Sequence, residues 1–397
     1  MPNVLTINGG SSSVRFAVFE AGRPPKRLLS GKMERIGGGG ASLNFVHGAD
    51  QSTSHAKIEI KKNGTAVDSL LDWLESHWPV AELDGAGHRV VHGMLRTAPA
   101  QVTEELLREL KGIIPFDPEH LPREIELIEA VRRRYPKLPQ AVCFDTAFHR
   151  SMPLVATQIA IPRRFAAQGI QRYGFHGLSY TFLMQELARL GDPAAARGRV
   201  ILAHLGSGAS LAAVRDGRSI DTSMGFTPAA GLVMGTRSGD LDPGLMSYLA
   251  SADAMTPAKF QTLVNHESGL LGISDTSSDV RDLLECESND PRAAEALALF
   301  CYQARKWIGS FCAALGGLNT LVFAGGIGEN AAPVRKRICD GLAFLGIDID
   351  EAANDRHAAR ISTDAGAVSV RVIHTDEESV IASLCSRLLG LEPNQEK

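Results

Sequence analysis

Three glycine-rich stretches hold the residue types best suited to chemistry. The first is Asn8-Gly9-Gly10-Ser11-Ser12-Ser13, between the apolar runs Val4–Ile7 and Val14–Phe19. Paired glycines let a backbone turn sharply and approach a ligand closely. Three hydroxyls, free backbone N–H groups and the cation of Arg15 gather at this turn, a combination that suits an anion such as phosphate. On its own, a Gly-Ser turn also serves as an ordinary hairpin. The second stretch, Leu205-Gly206-Ser207-Gly208-Ala209-Ser210, sits between Val200–His204 and Leu211–Val214 and repeats the pattern. The third, Gly325-Gly326-Ile327-Gly328-Glu329-Asn330, follows Leu321–Ala324 and precedes a helix predicted from Pro333. A strand feeding glycines into a helix N-terminus is an anion-binding arrangement. Asp145 stands just past the strand Gln140–Phe144, where open α/β sheets place reactive groups.

The elements that must position these residues alternate between strand and helix patterns. Strands are predicted at the apolar runs above, at the edge run Lys57–Ile60, at Gly87–Gly93 and at Val368–Ile373. Helical spacing marks Ala66–Trp78, a helix opened by Thr103, Leu121–Arg134, and a helix that the stretch Arg172–Ser179 leads into, through about Leu190. Further helices are expected near 244–251, 256–266, 279–287 and 292–316. Gly37–Gly40 and Asp221–Pro228 read as loops. Thr375 followed by Glu378 fits a capping box for the final helix. The recurrence of strand, glycine turn and strand points to a duplicated domain.

Composition sets the class. A chain of 397 residues exceeds one ordinary core, so two domains are expected. Hydrophobic residues at 44%, charged residues at 22% and a net charge of −4 fit a soluble globular protein without a nucleic-acid or membrane-surface signature. Arg132-Arg133-Arg134 reads as a solvated helix end. The six cysteines lie scattered, with no C-x-x-C pair, and read as core residues of a reducing compartment. With no leader pattern and no apolar run of ~20 residues, a cytoplasmic location is expected.

The chain has no G-x-x-x-x-G-K-[ST] stretch, which excludes a P-loop enzyme. Its motifs, taken in order, resemble the acetate kinase family. They are Asn8–Ser13, His88-Arg89-Val90-Val91-His92-Gly93, Phe144-Asp145-Thr146-Ala147-Phe148-His149 and Tyr173-Gly174-Phe175-His176-Gly177. Met224–Pro228, Met234–Asp240, Gly325–Asn330 and Thr375–Glu378 complete the set, so the resemblance spans both termini. It implies an α/β, duplicated actin-like (ribonuclease H-like) two-lobed kinase fold with mixed sheets and an interlobe cleft. The lobes expected are residues 1–147 completed by 377–397, and residues 148–376.

The implied reaction is reversible phosphorylation of acetate by ATP, giving acetyl phosphate and ADP by direct in-line transfer. Catalytic roles fall to Asp145, His176 and Arg237, with Asp145 positioning groups and metal-bound water. Arg89 would bind the substrate carboxylate, since a guanidinium grips oxyanions in a fork. Val91, Phe175 and Pro228 would wall the acyl pocket. Nucleotide contacts fall to Arg15, His204, Leu205, Gly206, Ser207, Gly208, Asp279, Val280, Arg281, Gly326, Ile327, Gly328, Glu329 and Asn330. Mg²⁺, or Mn²⁺ in its place, would sit near Asn8 and Glu377. The family also implies a homodimer through the second lobe.

The chain departs from the family pattern in places. Arg15 replaces a usual Lys, and Ser207 a common Asn. Pro115-Phe116-Asp117-Pro118-Glu119-His120 stands where the family reads Pro-Leu-His-Asn-Pro-Ala, which bears on pocket volume. Propionate or butyrate therefore stand beside acetate as acceptors. A sugar kinase and an actin-like ATPase are the alternatives on the same fold.

Overall fold

Apolar runs bounded by turn residues form two mixed sheets. The computed structural model describes residues 1–10, 13–34, 41–48, 53–58 and 65–392. The predictions made for Ser11, Ser12, Gly37–Gly40 and Ile60 fall outside these. The chain divides into two compact units, Met1–Ala147 with Asp376–Lys397, and Phe148–Thr375.

The first unit carries β1 (Asn3–Gly9), β2 (Ser13–Glu20), β3 (Lys26–Glu34), β4 (Ala41–His47), β5 (Thr53–Ile58), β6 (Leu83–Val90), β7 (Ala100–Gln101) and β8 (Gln140–Phe144). They pair in the order β5-β4-β3-β2-β1-β6-β8-β7. β1 to β5 are successively antiparallel, whereas β1–β6 and β6–β8 are parallel. β1 is buried on both faces, which is why it reads as a continuous apolar run. One face packs Leu5, Ile7 and Phe16 against Leu70, Leu71 and Leu74 of the helix Ala66–His77, with Leu127 and Val131 of the helix Leu121–Arg134. On the other face the final helix, Glu377–Leu388, brings Cys385 to Val4 and Ala141, and Ala382 to Ala17 and Phe19.

The second unit carries β9 (Arg199–Leu205), β10 (Ala209–Arg215), β11 (Arg218–Thr222), β12 (Thr320–Ala324) and β13 (Ser369–Val372), in the order β11-β10-β9-β12-β13. β9, β10 and β11 are antiparallel, and β12 and β13 run parallel to β9. This matches β3-β2-β1-β6-β8, strand for strand, and establishes the expected duplication. The equivalence puts the end of β1 with the end of β9, β6 with β12, and β8 with β13. The long helix Pro291–Leu315 starts on an Asp290 cap with Pro at its first position and stops at Gly316, φ 71°. Among the described residues no helix is long and apolar enough to cross a membrane.

Three local expectations are corrected. Asp221 and Thr222 are not loop but the end of β11, because Thr222 pairs with Ala212 and its hydroxyl donates to the Leu211 carbonyl. Gly325–Asn330 is itself a helix rather than a turn leading into one. Gly325, at φ +76°, turns the chain off β12, and Glu329 Oε1 accepts the Gly325 N–H at 2.9 Å, closing the first turn. The capping residue of the final helix is Asp376, not Thr375: Asp376 accepts from Ser379 N at 3.1 Å. Thr375 is already committed elsewhere, its N–H to Glu329 and its hydroxyl to Ser179.

Candidate active site

In the first unit, the carboxyl ends of β1, β6 and β8 carry Asn8, Arg89 and Asp145 side by side. Arg89 Nε and Nη2 donate to Asp145 Oδ2 at 3.1 and 2.7 Å, and Nη1 donates to the Gly9 carbonyl at 3.1 Å. Asp145 is fully buried, and its Oδ1 has no hydrogen-bond partner. A second carboxylate, Glu124, places Oε1 3.7 Å from Arg89 Nη1, while its Oε2 accepts from Val91 N at 2.9 Å. Asn8 turns its amide nitrogen to Glu377 Oε2 at 2.8 Å and Glu378 Oε1 at 3.1 Å. Arg15 is exposed, pairs with Asn8 across β1 and β2, and its charge acts on both glutamates.

One guanidinium thus sits among more carboxylates than it can neutralise. Burial, with Asp117 and Asp145 adding to it against Arg89, pushes the Glu124 carboxyl up to about 8. Glu377 is raised by burial and by Asp145, and Glu378 by burial and by Glu377. Arg89 loses solvation, but the pull of Asp145, Glu377 and Glu124 outweighs this and holds it charged. Asn8 has committed its amide donors to Glu377 and Glu378, which leaves its carbonyl oxygen as the remaining polar atom of the side chain. Oxygen donors such as this carbonyl and Asp145 Oδ1 suit a hard divalent cation. Among the described residues no group of three or more His, Cys, Asp or Glu side chains could hold a metal ion. Mg²⁺ that keeps its waters and phosphate ligands needs only one or two protein oxygens.

In the second unit, His176 caps the helix Gly177–Arg189 in the left-handed conformation, φ 59°, rare for a residue with a side chain. Its Nδ1 pairs with Ser210 Oγ at 2.8 Å, and Ser210 in turn hydrogen-bonds Tyr180. The imidazole stacks on His204, centroids 4.3 Å apart. His204 Nδ1 meets Ser179 Oγ at 2.8 Å, and Ser179 meets Thr375. A Cβ on Gly208 would lie 3.3 Å from His176 Nε2 and 3.5 Å from Arg237 Nη1, so both cationic-capable groups converge on this turn. Arg237 is aimed by its loop. Met234 N bonds Arg237 O, Ser268 N bonds Thr236 O, and Gly235 N bonds Ser207 O. Gly269 packs so closely beneath that a Cβ there would strike Met234 O at 2.2 Å.

The predicted nucleotide residues assemble around Gly206–Gly208. Gly206 lies against Gly326 N on one side, and Gly235 touches both Ser207 and the Ser278 carbonyl on the other. Leu205 and Val280 are buried, whereas Ser207 and Gly326 are exposed. Ile327 is half-buried and Gly328 buried, and Asn330 donates back to the Gly326 carbonyl at 3.0 Å. Asp279 caps the helix Val280–Cys286 and pairs with Arg281 at 2.6 Å. Glu329 turns inward: burial opposes its charge, but bonds from His374, Thr375 and Gly325 hold its carboxyl below the usual range.

Of the predicted acyl-pocket residues, Val91 is buried in the first unit, and Phe175 and Pro228 in the second. The Phe175 carbonyl accepts from His149 Nε2 at 3.0 Å, and that of Pro228 from Arg237 Nη1 at 3.4 Å. Phe116 sits 5.8 Å from the His92 ring, and Asp117 is buried, 2.9 Å from His120 Nδ1.

Sequence reasoning missed Glu124, Ser210, Tyr180 and Arg335. Glu124 had a readable signal: it lies on the buried stripe Leu121, Glu124, Ile125, Ile128, Val131, where a carboxylate is out of place. Arg335 had the same signal beside Val334 and Ile338. It is fully buried and donates to the Gly328 and Glu329 carbonyls at 2.9 Å each, bracing the helix Gly325–Asn330.

The model of the Acetokinase family matches residues 3–383. An acetate kinase of Rhodopseudomonas palustris is 44% identical over 391 residues, covering 97% of this chain and 98% of the relative. A propionate kinase of Citrobacter rodentium is 42% identical over 386 residues, covering 96% and 95%. The crystal structure of Porphyromonas gingivalis acetate kinase superposes with a TM-score of 0.87 at 34% identity, covering 98% of this chain and 100% of that one.

Proposed function

Because the chain belongs to the acetokinase family, we propose that it catalyses reversible transfer of the γ-phosphoryl group of ATP to the carboxylate of acetate. A carboxylate oxygen forms a bond to the γ-phosphorus while the bond to the β,γ-bridging oxygen breaks. Acetyl phosphate and ADP result, and no proton is consumed, because the acceptor is already ionised. The observation that carries this reading is the convergence of His176 Nε2 and Arg237 Nη1 on the Gly208 turn. Two such donors suit the charge spread over the equatorial oxygens of a transferring phosphoryl group.

Arg89 takes the substrate carboxylate in this reading. Asp145 and Gly9 occupy three of the five N–H donors of a guanidinium, leaving one on each terminal nitrogen. Asp145 holds the guanidinium in place and acts by positioning. Asn8 and Glu377 would hold Mg²⁺, or Mn²⁺, which when bound neutralises phosphate charge. In the second unit the Gly206–Gly208 turn and His204 are assigned to the phosphates and the segments at Asp279–Arg281 and Gly326–Asn330 to the adenosine; Arg15 of the first unit is assigned to the nucleotide by its charge.

Incubating the enzyme with ATP, Mg²⁺ and each C2 to C4 acid, then trapping acyl phosphate as hydroxamate, tests the function. Acetate should give the highest kcat/KM, and absence of product from every acid would refute the assignment. The propionate kinase relative and Phe116 in the pocket segment favour propionate as second acceptor, which the same series ranks. We further place the enzyme in the cytoplasm, in keeping with its six free cysteines. A homodimer through the second unit fits the helix Gly244–Ala252, which buries none of its residues in the single chain although Tyr248 is apolar and exposed.

A further inference from the structure

Glu124 reaches the first-unit site from a helix otherwise devoted to the core. That helix, Leu121–Arg134, is seated by Leu121, Ile125 and Ile128 against Val90, Val142 and Phe144. From this base the carboxylate touches three separate parts of the site. Its Cγ lies against Gly9, where a Cβ would approach to 3.9 Å. Its Oε2 accepts from Val91 N at 2.9 Å. Its Oε1 stands 3.7 Å from Arg89 Nη1, the nitrogen that also donates to the Gly9 carbonyl. The side chain is only 2% exposed, so solvent cannot substitute for these contacts.

The geometry points to Glu124 as a positioning residue that sets the Arg89 guanidinium and the Val91 backbone for the incoming carboxylate. It links the end of β1, the arginine in β6 and the residue just after β6, which are the parts that must be in register for a planar anion to be gripped at both oxygens. Asp145 fixes Arg89 from the Nε edge, and Glu124 flanks it from the Nη1 side. Glu124 is placed in contact with neither nucleotide nor reacting atoms, so its effect falls on acceptor binding. This inference rests on the assignment of Arg89 to the acceptor.

The test uses the full-length enzyme with Glu124→Ala and Glu124→Gln, measuring kcat and both KM values. Glu124→Ala should raise KM for acetate ~10-fold, the scale of leaving one buried N–H donor without its partner, with KM for ATP and kcat changed less than ~3-fold. Glu124→Gln keeps an acceptor for the Val91 N–H and should restore KM for acetate to within ~3-fold of the parent. An acetate KM within ~2-fold of the parent in Glu124→Ala overturns the inference. So does a parallel rise of both KM values that Glu124→Gln fails to rescue, which marks a merely structural role. Arg89→Ala in parallel separates the two readings. If it abolishes acetate binding while Glu124→Ala changes nothing, this inference alone fails; if it too changes nothing, the acceptor assignment fails with it.

Discussion

Arg89 gives two N–H donors to a single oxygen of Asp145, Oδ2, and leaves the other oxygen, buried, without a partner. In a fork the guanidinium would engage both carboxylate oxygens. This pair instead holds the guanidinium by its Nε edge and keeps a buried carboxylate oxygen available. Replacing Asp145 with Asn removes the charge while keeping the shape. We expect kcat to fall ~10²-fold, the scale of a misplaced catalytic group, while ADP binding measured by calorimetry stays unchanged.

The second-unit donors give a different expectation. A Cβ at Gly208 would stand 3.3 Å from His176 Nε2 and 3.5 Å from Arg237 Nη1, so Gly208→Ala displaces the imidazole by a few tenths of an ångström and fills the space between the two donors. Steady-state kinetics should show a loss of kcat of ~10-fold or more, while the melting temperature moves by no more than a degree or two, because the added methyl meets side-chain ends and not backbone.

Gly269 should behave in the opposite sense. At φ +65°, with a would-be Cβ 2.2 Å from Met234 O and 2.7 Å from Arg237 O, it meets rigid backbone. Gly269→Ala should cost more than ~2 kcal/mol and lower the melting temperature by several degrees, with activity falling as the Arg237 loop shifts. Gly112→Ala is the control: nothing lies within 4 Å of its Cβ position at the end of the helix Glu104–Gly112, so scanning calorimetry should record no loss.

Glu124 also ties stability to pH. Its carboxyl stands at about 8 in the folded chain, against an ordinary 4.5. The folded state therefore binds this proton more tightly than the unfolded one. The resulting stability is complete below about 4.5 and is lost as pH rises through about 8. Glu124→Gln cannot ionise. Between pH 5 and pH 8.5 the unfolding free energy of the parent should fall relative to this variant by on the order of a few kcal/mol in urea titrations. Equal slopes for the two proteins would contradict the burial argument.

What could be read from the chain and what could not divide along one physical line. The strands on either side of the first glycine stretch, the turn at Gly206–Gly208 between β9 and β10, the duplicated strand pattern and the acid after β8 are legible because each is a local signal on consecutive residues. Gly325–Asn330 was misread because glycine argues against helix. What closes that helix is Glu329, four residues on, and what braces it is the buried Arg335. Thr375 had the right spacing for a cap, but two long-range partners, Ser179 and Glu329, claimed it first. Glu124 is legible only as a carboxylate on a buried helical stripe; which groups it meets, Arg89 and Val91 more than 30 positions away, no local pattern reports. The wiring behind His176, through Ser210 to Tyr180, joins residues 30 positions or more apart, which no local pattern reports.

The proposed metal site at Asn8 and Glu377, which are joined by a hydrogen bond of 2.8 Å, has its own test. Chelation with EDTA should abolish turnover and added Mg²⁺ restore it. In Asn8→Ala and Glu377→Gln the Mg²⁺ concentration for half-maximal rate should rise ~10-fold or more, the scale of losing one of only a few protein ligands.

The central claim is a division of labour, with Arg89 gripping the acceptor and Arg237 stabilising the transferring phosphoryl group. It is tested most directly by comparing Arg89→Ala and Arg237→Ala for acetyl phosphate formation, acetate KM and ADP affinity. The account predicts a steep rise in acetate KM for the first variant, loss of kcat for the second, and near-parental ADP affinity in both. Full transfer activity in either variant, or ADP affinity lost in both, would contradict it.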